Sequence, residues 1–239
     1  MCTLTWRRDS KESVEVFFNR DEKKTRSRAE PPDERLDPGG MRYLSPLDPD
    51  SGGTWMLANE RGLVVCLLNR WHESGGEVAD PVASRGGLVE DMAGMENVPA
   101  VEERLRGIAL QHLRPFTLVA FDPVGERGWK WNGRDLNPEI LRMPVSSSSY
   151  RFEQVMRARQ DRFEFLVRSR RGSTGELERF HSDSEGVASA YTVRMCRPDA
   201  QTMSRSRVRV GPDSVEWDYW EEAGDHAGLP RAHTIAMRR

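Results

Sequence analysis

The chain has 239 residues with 36 basic against 38 acidic side chains, so it can bury one sizeable core and carries no positive field to attract nucleic acid or an anionic membrane. No apolar run approaches the ~18 residues of a membrane span, and the first stretch holds Arg, Lys, Asp and Glu where a secretory signal needs apolar residues. The expectation is one domain over residues 1–239, cytoplasmic, with no nucleic-acid partner and no stable membrane insertion.

Residues 3–6 and 14–19 are β-prone runs around a charged turn and predict an opening hairpin. Residues 21–53 turn to Pro, Gly, Asp and Arg, which reads as a long polar connection of the kind that shapes a ligand site. Residues 55–58 and 63–68, joined by Asn59-Glu60-Arg61-Gly62, predict a second hairpin. Helical patterns follow over 81–92 and 98–113, then a third hairpin over 116–121 and 128–131.

After Ser146-Ser147-Ser148-Ser149, residues 150–167 place Phe152, Val155, Met156, Phe163, Leu166 and Val167 on one stripe, predicting an amphipathic helix with a serine cap. Strands are expected over 190–195, 204–210 and 215–219, and residues 221–239 show no pattern and read as a mobile tail. Strands, helices, then strands again indicate an α+β chain of antiparallel sheets with helices packed outside.

Two candidate chemistries stand out. Removing Met1 leaves Cys2 with both a thiol and a free α-amine, a nucleophile carrying its own base, although a small buried hydrophobe is the plainer reading of a Cys there. Asn19-Arg20-Asp21-Glu22 ends the second strand abruptly in polar groups. Alternation puts Asn19 and Asp21 on one face and Arg20 and Glu22 on the other. The first pair is expected beside Cys2, where the carboxylate would orient the amine and an Arg would favour thiolate, against the rival of a solvated strand end. The three cysteines and five histidines lack disulfide or metal-ligand spacing. The histidines read as solvated or singly hydrogen-bonded, and Trp217 and Trp220 as exposed edge-strand aromatics.

Met1-Cys2, the Asn-Arg-Asp-Glu tetrad and Gly52-Gly53-Thr54-Trp55 together resemble the NRDE family, also called the transport and Golgi organization family, in order and spacing. That family is similar to N-terminal nucleophile hydrolases related to penicillin V acylases and bile salt hydrolases, which implies a four-layer αββα sandwich of two antiparallel sheets. Asn59-Glu60-Arg61-Gly62-Leu63 and Leu68-Asn69 resemble acylase segments, and the likeness implies Asn69 as an oxyanion donor, a turn Asn being the rival. Ser147 falls where the acylases have an Asn donor, with a helix cap as rival. Arg205 corresponds to an Arg near the acylase thiol, while Arg207 and Arg209 at spacing two suggest instead a charged strand face. Arg20 departs from the acylases, whose Arg lies three residues before the Asp.

The resemblance implies an N-terminal cysteine amidohydrolase acting on a linear amide or related acyl bond. Cys2 would be the nucleophile, Asp21 would orient the amine, Asn69 and Ser147 would receive the oxyanion, and Asn19, Arg20 and Arg205 would tune charge. No metal or organic cofactor is required, and the partner is a small-molecule ligand or acyl-amide substrate. A second reading is a non-catalytic haem- or lipid-binding carrier on the same fold, because fold does not dictate function.

Overall fold

Alternating burial along the first two strands generates the framework of the molecule. β1 (Cys2–Ser10) and β2 (Ser13–Lys23) pair in register Cys2↔Arg20, Leu4↔Phe18 and Trp6↔Val16. Directly opposed residues share a face, so Cys2, Leu4, Trp6, Val16, Phe18 and Arg20 all point to one side. The computed structural model describes residues 1–10, 12–71, 83–167, 172–222 and 231–239.

Sheet B begins with β3 (Glu30–Leu36) and β4 (Arg42–Leu47), both inside the expected polar connection. That expectation is corrected: the segment is Pro- and Arg-rich because β3 is the edge of its sheet, where Pro costs no ladder bond. The hairpin of β5 (Met56–Asn59) and β6 (Val64–Asn69) follows as expected. Asn59 closes its turn by accepting from the main-chain N–H groups of Arg61 and Leu63.

Residues 81 and 82 of the first expected helix lie outside the described residues, and the helix itself is short, α1 (Arg85–Glu90). The second is α2 (Val98–Arg106), capped by Asn97 and ending at Gly107, with one 3₁₀ turn beyond it. β7 (Phe116–Phe121) and β8 (Glu126–Trp131) form the third hairpin, followed by β9 (Leu136–Glu139) and β10 (Val145–Ser147).

α3 (Phe152–Leu166) is the expected amphipathic helix, but no serine caps it: Arg151 sits before it in the left-handed region with no capping side chain. Ser148 Oγ instead accepts from Tyr150 N and donates to Tyr150 O, bracing the approach to the helix. α4 (Thr174–Ser182) opens with a capping box in which Ser173 and Glu176 satisfy each other's main-chain donors. β11 (Ala200–Val210), β12 (Ser214–Glu221) and β13 (Arg231–Arg238) complete the chain.

Three further expectations are corrected here. Residues 190–195 form no strand but an irregular segment, anchored where Thr192 Oγ1 donates within it and Arg194 N reaches Asp183 O. The tail contains β13, which pairs along the length of β12. Trp217 is fully buried in the core between the sheets, and β13 makes β12 an interior strand rather than an edge.

Sheet A runs β10-β1-β2-β11-β12-β13 and sheet B runs β3-β4-β5-β6-β7-β8-β9, with antiparallel pairing throughout. Their inner faces meet in a core that includes Leu4, Phe18, Trp217, Met56, Cys66 and Phe121. The outer face of B packs Leu57, Val65, Leu118 and Trp129 on Leu88, Val101 and Leu105 of α1 and α2. The outer face of A packs Phe17 on Phe163 of α3 and on Leu177 and Phe180 of α4. The result is the αββα sandwich.

Candidate functional site

One end of the sandwich gathers the start of β1, the end of β2, the end of β6 and the turn into β5. A cavity of about 500 Å³ opens there, with Cys2, Arg20, Trp55, Asn69, Trp71 and Arg85 on its wall. Gly53 and Gly86 pass main chain against main chain at its rim: a Cβ on Gly53 would lie 2.7 Å from the Gly86 carbonyl carbon. Only glycine at both positions permits this approach.

Cys2 is held at the edge of this cavity by pairing on both sides, with Arg20 on β2 and Ser147 on β10. Its main-chain N–H donates to Ser147 Oγ at 2.9 Å. Burial pushes the Cys2 thiol up to about 11, and the Asp21 charge adds to the rise. The amino-terminal ammonium, the Arg20 guanidinium and a hydrogen bond from the Asp21 main chain pull the other way. Met1 continues the strand, its ammonium donating to Asp21 O at 2.8 Å and its side chain packed with Met195 and Ala200.

Arg20 is 4% exposed and stacks on Trp55 with its guanidinium carbon 4.3 Å from the ring centre. Its Nη2 donates to Asp48 Oδ2 at 2.6 Å, while Nη1 has no partner among the described residues. Asn69, half-buried at the end of β6, lines the same cavity. Cys2, Arg20 and Asn69 therefore share one space, and Ser147 meets the Cys2 nitrogen.

The other expected residues are placed differently. Asn19 and Asp21 do share a face, but it is the outer face of sheet A, not that of the Cys2 side chain. Asn19 Nδ2 donates to the main-chain oxygens of His181 and Val193 at 2.9 and 3.2 Å. The Asp21 carboxylate accepts from Arg159 Nη2 at 3.1 Å and Thr202 Oγ1 at 2.7 Å, so only its main chain borders Cys2. Arg205 lies opposite Asn19 in register and points to the same outer face, where Glu222 and Ser182 accept from it. It is not near the thiol. Arg207 pairs with Glu15 and Glu178, and Arg209 with Glu216 and Asp218, so the charged strand face is the arrangement found.

Two buried groups behind Cys2 escaped the sequence reading. Arg159 is fully buried and donates to Thr3 Oγ1 at 2.5 Å as well as to Asp21. Its signal was available: it sits four residues after Val155 and four before Phe163, inside the apolar stripe of α3. His181, expected to be solvated, is 3% exposed and bonded through both ring nitrogens. Because the Asn19 amide nitrogen is spent on carbonyls, its oxygen accepts from His181 Nδ1 at 2.8 Å, and Nε2 accepts from Thr5 Oγ1 at 2.8 Å. Burial, then the nearby Arg205 and Arg159 charges, lowers the His181 pKa to about 3, so the ring is neutral. Its signal was the Ser173…Glu176 capping box ahead of Leu177 and Phe180.

The arrangement can supply a thiol, an adjacent nitrogen and a polar cavity wall, the elements of acyl transfer. Among the described residues no helix is long and apolar enough to cross a membrane. Solved structures with this fold include a mutant conjugated bile acid hydrolase from Clostridium perfringens, at 13% identity and a TM-score of 0.56, covering 99% of this chain and 92% of that one. Another is the Caenorhabditis elegans ortholog of N-acylethanolamine-hydrolyzing acid amidase, at 10% identity and a TM-score of 0.61, covering 87% of this chain and 92% of that one. At these identities the likeness establishes the fold. No curated protein matches the chain. The sequence profile for Transport and Golgi organisation 2 matches residues 1–183, and the chain belongs to that family.

Proposed function

We propose that the protein is an N-terminal cysteine amidohydrolase acting on a linear amide or related acyl bond. The observation that carries this reading is the position of Cys2: on the wall of the cavity, opposite Arg20, with its nitrogen fixed by Ser147 at 2.9 Å. Once Met1 is removed, that nitrogen is the α-amine of the same residue that carries the thiol. It takes the Sγ proton as the sulfur attacks the carbonyl carbon, then returns it to the departing amine. Water hydrolyses the resulting thioester. Asn69 is the available donor to the oxyanion, and Ser147 orients the amine in place of the oxyanion role the resemblance implied. Arg20 favours the thiolate, and Asp21 contributes its charge and main chain from behind.

The test joins intact mass to a hydrolysis screen. Protein lacking Met1 is expected to release amine from a linear N-acyl amide, and Cys2→Ala is expected to release none. Full activity in Cys2→Ala would overturn the proposal.

A second reading, a haem- or lipid-binding carrier, is favoured by the well-packed Met1 and by the Cys2 thiol raised to about 11 while Met1 is in place. In that form Cys2 has no free amine and the thiol stays protonated. A mature chain that retains Met1 and binds haem or lipid without turnover supports this second reading.

A further inference from the structure

The cavity wall is unevenly charged, and the imbalance points at a ligand. Its acids are already engaged: Asp48 accepts from Arg20 and Arg26 at 2.6 and 2.8 Å, and Asp50 accepts from Ser27 N at 3.1 Å. The Asp21 carboxylate is taken by Arg159 and Thr202 on the far side of the sheet. Glu22 accepts from the main chain of Lys23 and forms no ion pair with Arg85.

The cations are not balanced in the same way. Arg85 Nη1 donates to Pro115 O at 3.0 Å, and its guanidinium lies 5.6 Å from the Trp71 ring centre, with no carboxylate partner among the described residues. Arg114 stands near enough to repel it and likewise has no acid partner among the described residues. Deeper in, two donors on nine-tenths-buried side chains have no partner among the described residues, Arg20 Nη1 and Trp55 Nε1. Burial and the Arg114 charge lower Arg85 to about 10, with Cys2 and Glu22 pulling the other way, which leaves it charged at neutral pH.

We infer that the Cys2 cavity recognises a compact acyl amide bearing a carboxylate, with the Arg85 and Arg114 guanidinium groups as the anion-binding wall and Arg20 and Trp55 as the inner donors. This rests on the amidohydrolase reading for the amide, while the anion preference stands on the wall alone. A carboxylate between two guanidinium groups replaces their mutual repulsion by charge-assisted hydrogen bonds. A volume of about 500 Å³ lies within the usual range of small-molecule sites and has room for such an acyl amide.

Binding to the Cys2→Ala protein separates recognition from turnover. By calorimetry, N-hexanoylglycine is expected to bind about tenfold more tightly than the neutral N-hexanoylglycinamide, a preference that shrinks as salt is raised. Arg85→Gln and Arg114→Gln should each remove most of that preference; Arg114 is exposed, so its replacement does not threaten folding. Equal binding of the two compounds, no binding of the acid at millimolar concentration, or a preference that survives both replacements overturns the inference. Inorganic phosphate displacing the acid as well as the acid displaces itself would overturn the amide part, reducing the wall to a general anion site. Hydrolysis of neutral amides by the wild type, with no acid preference, would leave the amidohydrolase reading standing and this one lost.

Discussion

Arg159 Nη2 lies 3.1 Å from Asp21 Oδ2, with both side chains wholly buried, so one ion pair ties α3 to the strand that flanks Cys2. The Arg159 Nη1 bond to Thr3 Oγ1 extends the tie to β1, one residue from the thiol. The pair is costly to form in a dry site and more costly to break, because removing one partner strands the other charge.

Arg159→Met is therefore expected to lower unfolding free energy by about 3–5 kcal/mol, leaving Asp21 with Thr202 as its side-chain partner. Pairing it with Asp21→Asn should recover part of that loss. Urea denaturation of both variants checks this, and a single variant as stable as wild type would show that the pair contributes nothing.

The neutral His181 makes stability pH-dependent. Its folded pKa of about 3 lies below the ordinary value of 6.5, so the unfolded chain binds a proton there that the folded chain does not. Its contribution is fully present above pH 6.5 and is lost as pH falls toward 3, on the order of 4 kcal/mol across that window. His181→Gln, able to keep one bond to Asn19 or Thr5, should be less stable at pH 7.5 and lose less on acidification. Urea midpoints from pH 7.5 to 4.5 for the two proteins give the difference; parallel curves would contradict it.

What could be read from the sequence was local. The β1–β2, β5–β6 and β7–β8 hairpins each join neighbouring runs through a short polar turn, and the α3 stripe repeats within one segment. β3, β10 and β13 depend on partners whose pairing no local pattern announces, and Pro31, Pro32 and the arginines of the tail disguise their strands. The site follows the same division. Alternation correctly separated Asn19 and Asp21 from Arg20, but which pair faces Cys2 is decided by register, where a one-residue slip exchanges the faces. Asn69 and Cys2 share a cavity because both stand at strand ends on the same end of the sandwich, whereas Arg205, in the body of β11, obeys its strand's parity and turns away.

Gly53→Ala should disturb the site without removing any of its polar groups. The added methyl would meet the Gly86 main chain at 2.7 Å, and neither segment is a flexible side chain that could give way. A cost of about 1–3 kcal/mol is expected from this overpacking, with displacement of the turn that leads into Trp55 and of the helix start that carries Arg85. Thermal unfolding and the tryptophan fluorescence of the folded variant report the two effects; unchanged values in both would mean the rim is not in contact in solution.

The carboxyl-terminal strand makes the last prediction. Met237 is 2% exposed in the core between the sheets, and Arg238 O accepts from Arg42 Nη2 at 2.8 Å, so β13 is joined to sheet B as well as to β12. Met237→Ala should cost about 2–5 kcal/mol through the cavity it leaves. Deleting residues 231–239 should cost more, because it removes that side chain and opens the β12 edge, where Trp217 and Tyr219 are now buried. The truncated protein is expected to aggregate at concentrations where the full chain stays monodisperse by light scattering. A truncation that remains monodisperse and as stable as the full chain would mean that the pairing of β13 with β12 contributes nothing to the fold.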